Sequence, residues 1–319
     1  MIRLLKMLGN FLRTCRIFAG RHTQHICAPA IIFFPVTLCQ LGCGFAGLMT
    51  IKLQDAGPAP TSDLKLAGLL EKIKDSNLKK VLTRELKAEN FLDGLESVQA
   101  LEKATLELKQ EAVQEFFFFQ PSRARKLAGL ATKIKKFLSA EEKLLEKNAD
   151  KFDSRELEII NSQIIRLKDI QWILEKDILA NFGKILDLAA ASSAADINPA
   201  AFKKYRKINL LLNALDRLEV RGRDSAGLQM DFVLEDDAAM ERVLSDLKKE
   251  GLDEDYTVRS RPADLLNGSI SVTECVLPGG EKRINVIFTY KTFSIVGELG
   301  RNVAQLRGAI KNDRILRHF

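Results

Sequence analysis

Arg217-Leu218-Glu219-Val220-Arg221-Gly222-Arg223-Asp224-Ser225-Ala226-Gly227 decides the reading of this chain. Before it, Ala200–Leu218 repeats leucines at helical spacing. After it, Gly227–Leu234 alternates apolar and polar residues as a strand does. The run therefore predicts a helix-to-strand junction. Gly222 permits a tight turn, and Asp224 and Ser225 carry oxygens suited to bonding nearby backbone amides. Ala226 and Gly227 predict a strand that its neighbour approaches closely. Taken alone, the run also fits a well-formed turn and nothing more.

Downstream the pattern stays mixed. Asp236–Glu250 predicts a helix ended by Gly251. Ser269–Leu277 and Arg283–Tyr290 are rich in β-branched residues and flank Pro278-Gly279-Gly280-Glu281, which predicts a hairpin. Asn267-Gly268 is a tight-turn dipeptide, and Leu299–Ile310 predicts a last helix.

Upstream, residues 63–195 are helical in pattern. Leu66, Leu69, Leu70 and Ile73 make an apolar stripe. Leu157, Ile160, Ile164, Leu167, Gln171, Leu174 and Ile178 form a heptad seam with one polar breach. Breaks fall at Gln120-Pro121-Ser122 and at Asp150–Ser154, with Ser154 as the expected N-cap. Three or four antiparallel helices are expected. Phe116–Phe119 cannot all share one helix face, and are expected to fill the junction between the helices and the neighbouring domain.

Composition narrows the classes. Lys and Arg total 49 against 42 Asp and Glu, but Arg3, Lys6, Arg13, Arg16 and Arg21 lie in a leader whose first acid is Asp55. The rest is close to neutral, which argues against nucleic acid as a partner. Four of the 5 cysteines (Cys15, Cys27, Cys39, Cys43) precede residue 44, leaving Cys275 in the body, so a disulfide framework is not expected. The 3 histidines are His22, His25 and His318, too few and too terminal for a zinc site or a Ser-His-Asp triad in the body. Ile26–Ile51 carries no formal charge, a length that suits a membrane, but Pro29, Pro35 and several glycines make it a poor helix. Cys43-Gly44-Phe45-Ala46-Gly47-Leu48-Met49-Thr50-Ile51 predicts a buried strand, and Gly57, Pro58 and Pro60 a linker.

The run at 217–227 resembles the Arg-Leu-Glu-x-Arg-Gly-x-Asp-Ser-Ala-Gly signature of class II glutamine amidotransferases, in their glutamine–fructose-6-phosphate aminotransferase branch. Cys43-Gly44-Phe45-Ala46-Gly47 is similar to the start of that family's mature chain. Val220 and Arg223 stand where the family has aromatic residues. The helical block that separates the two motifs resembles an insertion in larger bacterial relatives, through Arg166-Leu167-Lys168-Asp169, Trp172 and Leu174-Glu175-Lys176-Asp177. The tail from Val296 to Arg307 is similar to those relatives too. The resemblance implies an α+β chain: an N-terminal-nucleophile (αββα) glutaminase domain, incomplete here, carrying an inserted antiparallel helical bundle. It implies Cys43 as catalytic nucleophile, with Gly44, Arg221, Gly222, Asp224 and Ser225 as site-motif residues. The implied substrate is glutamine, whose ammonia serves amino-sugar synthesis, and no cofactor or metal is implied.

The family's His-Thr-Arg-Trp segment has no counterpart after Gly227, and the sugar-phosphate isomerase domain is absent from these residues. The chain is therefore expected to be a fragment inactive on its own. The expected divisions are 1–42, a leader outside the fold; 43–60, first strand and linker; 61–198, helical insertion; and 199–319, the remaining glutaminase part. The expected location is the cytoplasm, and a homo-oligomer is compatible. Two alternatives stand. One is a helical interaction protein that uses the seam Leu157–Ile178. The other is a membrane protein lipid-anchored at Cys43, since Leu38-Cys39-Gln40-Leu41-Gly42-Cys43 resembles a lipoprotein cleavage site.

Overall fold

A computed structural model describes residues 46–48, 62–218, 225–261, 267–276, 280–293 and 298–319. The chain is α+β, mostly helical, with one small antiparallel sheet among the described residues.

The first half is helical: α1 (Ser62–Asp75), α2 (Leu78–Leu82), a 3-10 turn Ala88–Asp93, α3 (Gly94–Glu107), α4 (Glu111–Phe118) and α5 (Pro121–Asn148). Then α6 (Ser154–Trp172) runs through a π-turn, Ile173–Leu179, into α7 (Ala180–Leu188). These are more and shorter pieces than the three or four expected. The extra breaks are local: Asn77 accepts from the Lys80 amide and starts α2, while Leu92 and Asp93 take positive φ before α3. The break at Pro121 is where the sequence puts it, with Pro at the start of α5. The N-cap of α6 is Asp153 rather than Ser154. Asp153 is extended, its carboxylate accepts the Glu156 amide at 2.7 Å, and Glu156 returns the bond to the Asp153 amide at 3.1 Å.

The seam residues Ile160, Ile164, Leu167, Leu174 and Ile178 are buried inside the molecule. They pack against the chain's own helices, so this seam is not the partner-binding face expected of an interaction protein. The phenylalanine run fills a junction. Phe118 stacks on Phe202 with ring centroids 4.6 Å apart and meets Phe182 edge-on at 5.6 Å, while Phe119 lies 5.9 Å from Phe202. Phe202 belongs to α8 (Pro199–Leu218), beyond the division drawn at residue 198. Buried Arg206 on α8 adds bonds to the Gln114 side chain at 2.6 Å, Glu111 at 3.0 Å and the Lys109 carbonyl at 3.1 Å. The arginine is thus paired on all sides, as burial of a charge requires.

The second half holds β1 (Ser225–Leu234), α9 (Asp237–Lys249), α10 (Asp253–Arg259), β2 (Ser269–Val276), β3 (Lys282–Phe293) and α11 (Arg301–Asn312), followed by a 3-10 turn Ile315–His318. The sheet order is β1-β3-β2, all antiparallel, with Met230 opposite Phe288 and Phe288 opposite Ile270. Leu228, Met230, Ile270, Val286, Phe288 and Tyr290 are buried on the same face, and Leu306, Ile310 and Leu316 join them in one core. Gln229, Asp231, Ser271 and Thr273 alternate with them and are exposed. The Asn267-Gly268 turn is used as a turn: Asn267 Oδ1 accepts the Lys291 amide at 3.0 Å, and Gly268 has φ +81°. A side chain at Gly268 would also stand 3.0 Å from the Arg259 guanidinium, so two constraints favour glycine there.

Among the described residues no helix is long and apolar enough to cross a membrane. The leader, on which the membrane alternative rests, lies outside the described residues.

Candidate functional site

The signature run sits where α8 hands over to β1. Helix α8 ends at Leu218 and β1 begins at Ser225. Cys43, Gly44, Arg221, Gly222 and Asp224 lie outside the described residues. Ser225 is the one member of the set that is described. It is exposed, heads β1, and pairs across the sheet with Phe293. Ala46, Gly47 and Leu48 are half-buried, and Gly47 makes an isolated β-bridge. Of the buried strand expected over 43–51 these three residues are the described part, half-buried around a single bridge. Gly227 is exposed, and a Cβ there would lie 3.6 Å from the Tyr290 carbonyl oxygen, an ordinary contact. Close strand approach, the reason expected for that glycine, is not what the structure imposes.

A polar lattice holds α8 in place just before the run. Asn181 Oδ1 on α7 accepts from the side-chain amides of Asn209 and Asn213, at 2.9 and 3.0 Å. Asn213 Oδ1 in turn accepts Lys184 Nζ at 3.0 Å and Arg307 Nη2 at 2.9 Å. One asparagine thus ties α8 to both α7 and α11. Burial lowers the Lys184 pKa, and the Arg307 charge beside it lowers it further. Burial lowers that of Arg307 too, against the pull of Asp216 and Asp187. Lys311 and Asp187, 2.5 Å apart, close the α7–α11 contact at the surface. These bonds fix the rotation of the helix that delivers Arg217 and Leu218 to the run.

A second node fixes the strand side. Arg259, at the end of α10, makes a two-pronged bond to Asp313 at 3.0 and 2.5 Å, and donates Nε to the Gly268 carbonyl at 2.7 Å. Tyr290 of β3 donates its hydroxyl to Asp313 at 2.5 Å, and the Leu316 amide donates at 3.0 Å. Burial alone would raise the Asp313 carboxyl, but these donors hold it below the usual carboxylate range. Burial and the facing Asp313 charge push the Tyr290 hydroxyl far up, so it stays a donor. Nearby, Lys204 Nζ caps the Leu316, Arg317 and Phe319 carbonyls at 2.9, 3.3 and 2.8 Å. Burial, aided by Arg317, pushes its pKa down to about 8.

Sequence reasoning missed both nodes. Asn209 and Asn213, four apart among the leucines of α8, are the one signal that points to the first. Nothing local marks Asp313 as the partner of Arg259, because their pairing is made only by the folded sheet.

Chemically, the described residues supply a scaffold on both sides of the run. No group of three or more His, Cys, Asp or Glu among them is arranged to hold a metal ion. No protein-family model matches the chain, and neither a curated protein nor a solved structure does.

Proposed function

We propose that this chain carries the amino-terminal part of a class II glutaminase of the glutamine–fructose-6-phosphate aminotransferase type, with Cys43 as nucleophile. The observation that supports the reading is the setting of the signature run. A long amphipathic helix precedes it and an antiparallel strand begins with its Ser225, as the residue pattern requires. The αββα arrangement belongs to the same proposal, and asks for a second sheet beside the one described.

In this chemistry the Cys43 thiolate attacks the side-chain carbonyl carbon of glutamine. The C–N bond breaks, ammonia leaves with the proton taken from the thiol, and a glutamyl thioester remains. Water then cleaves the thioester to glutamate and returns the thiol. The base is the free α-amine of Cys43, so the peptide bond after Gly42 must be absent for the reaction to run. An amide nitrogen there cannot take up a proton at neutral pH.

The test uses the natural polypeptide that bears this chain. Glutamate release from glutamine should fall to background in Cys43→Ala, and mass spectrometry should find Cys43 as the first residue. Release that persists in Cys43→Ala, or none from a polypeptide that has a bare Cys43 amine and also carries a His-Thr-Arg-Trp segment, refutes the assignment. An acyl group on Cys43 would mark the lipoprotein alternative instead.

A further inference from the structure

Two cations converge on one uncharged oxygen where α7, α8 and α11 meet. Lys184 Nζ and Arg307 Nη2 both donate to Asn213 Oδ1, at 3.0 and 2.9 Å, so they lie no more than about 6 Å apart. Burial, and then the Arg307 charge, work against a charged Lys184. Neither side chain has a carboxylate partner among the described residues. The other withdrawn arginines do: Arg206 pairs with Glu111 at 3.0 Å, and Arg259 with Asp313 at 2.5 Å. A guanidinium partly removed from water calls for a counter-charge, and Arg307 has an asparagine instead.

The acids nearby are already engaged. Asp187 is held by Lys311 at 2.5 Å and Asp177 by Lys109 at 2.7 Å. Asp216 remains, and it pulls on both cations without forming an ion pair with either. Arg217, exposed at the end of α8, is a third cation. Its charge reaches Lys184, and its own contact with Asp177 is a loose 4.0 Å. Lys184, Arg307 and Arg217 against Asp216 leave an excess of two positive charges. Lys184 is exposed and Arg307 half-buried, and most of their N–H donors are unused and open to solvent. We propose that Lys184 and Arg307 form a binding site for a phosphate group, with Arg217 at its rim. A tetrahedral dianion matches the charge excess, and its oxygens can bridge an ammonium and a guanidinium. The site does not depend on glutaminase activity.

Calorimetric titration of the 319-residue chain with inorganic phosphate, at neutral pH and constant ionic strength, should show saturable binding that chloride does not reproduce. Glycerol 3-phosphate, titrated separately, tells a phosphate ester from the free anion by which of the two binds tighter. Lys184→Met and Arg307→Met should each weaken binding by about 10- to 100-fold, since each removes a charge-assisted bond. Asp216→Asn should tighten it several-fold by removing the opposing charge. Lys249→Met removes an exposed cation on α9 and should leave the affinity unchanged. Circular dichroism separates a lost site from a lost fold, and Asp216→Asn tests the site with both cations in place. No saturable phosphate binding by the wild type, an affinity that Lys184→Met leaves unchanged, or no tightening in Asp216→Asn overturns the proposal.

Discussion

Arg259 and Asp313, 54 positions apart, meet as two parallel bonds, with the Tyr290 hydroxyl completing the carboxylate's partners. The pair is half-hidden on the arginine side and nearly wholly on the aspartate side, at 20% and 5% exposure. It clamps α10, β3 and the turn after α11 at one point.

The clamp has a pH signature. The folded Asp313 carboxyl titrates below its unfolded value of about 3.9. Its contribution is therefore complete above that value and is lost as pH falls through the folded pKa. Asp313→Asn should flatten the acid limb of the stability curve and cost about 3 kcal/mol at neutral pH, because Arg259 is left buried without its counter-charge. Urea titrations at several pH values check this; an unchanged acid limb would exclude the clamp as its source.

Glu141 behaves in the opposite sense. It is buried on α5 and accepts the Leu78 amide at 2.6 Å, but burial raises its pKa. The charged form is thus disfavoured in the fold, and stability should rise as pH falls through the folded pKa towards the ordinary carboxylate range. Glu141→Gln keeps the acceptor without the charge and should be neutral or stabilising in thermal melts. Glu141→Ala leaves the Leu78 amide unpaired and should cost about 1–3 kcal/mol.

The phenylalanine cluster sets where the helical part can be cut. A fragment of residues 62–218 should melt cooperatively as a helical unit, since Phe118 and Phe119 keep Phe202. A fragment ending at residue 195 exposes them and should melt lower and bind hydrophobic dyes. Within the whole chain, Phe118→Ala should cost roughly 3–5 kcal/mol by leaving a cavity between α4, α7 and α8. Equal melting of the two fragments would show that α8 adds nothing to the helical core.

What the sequence made legible was whatever is written in local periodicity. The hairpin partners β2 and β3, the helix after Asp236, the break at Pro121 and the buried seam of α6 all follow from patterns a few residues long. The N-cap of α6 was one residue off, because aspartate and serine both suit the position and only backbone angle chooses between them. The lattice at Asn213 and the clamp at Asp313 were illegible, because each joins residues from distant elements whose meeting depends on the whole packing. Of the candidate site, the flanking helix and strand were readable as α8 and β1, while the residues that would do chemistry carry no periodicity and rest on motif alone.

The π-turn after Trp172 has a consequence for inheritance. A π-turn holds one residue more than the α-helix it interrupts, so residues 173–179 take up a surplus residue within one wide turn. Phe182, Ile185 and Leu188 beyond it thereby stay on the buried side that Leu167 and Ile170 occupy before it. A regular helix of the same length would turn them by about 100° away from the core, whereas losing one residue here would bring a regular helix back into phase. An in-frame loss of a single codon is therefore a lighter lesion in this segment than in the helix on either side of it. A lineage of this protein can shed that residue without turning the core face of α7.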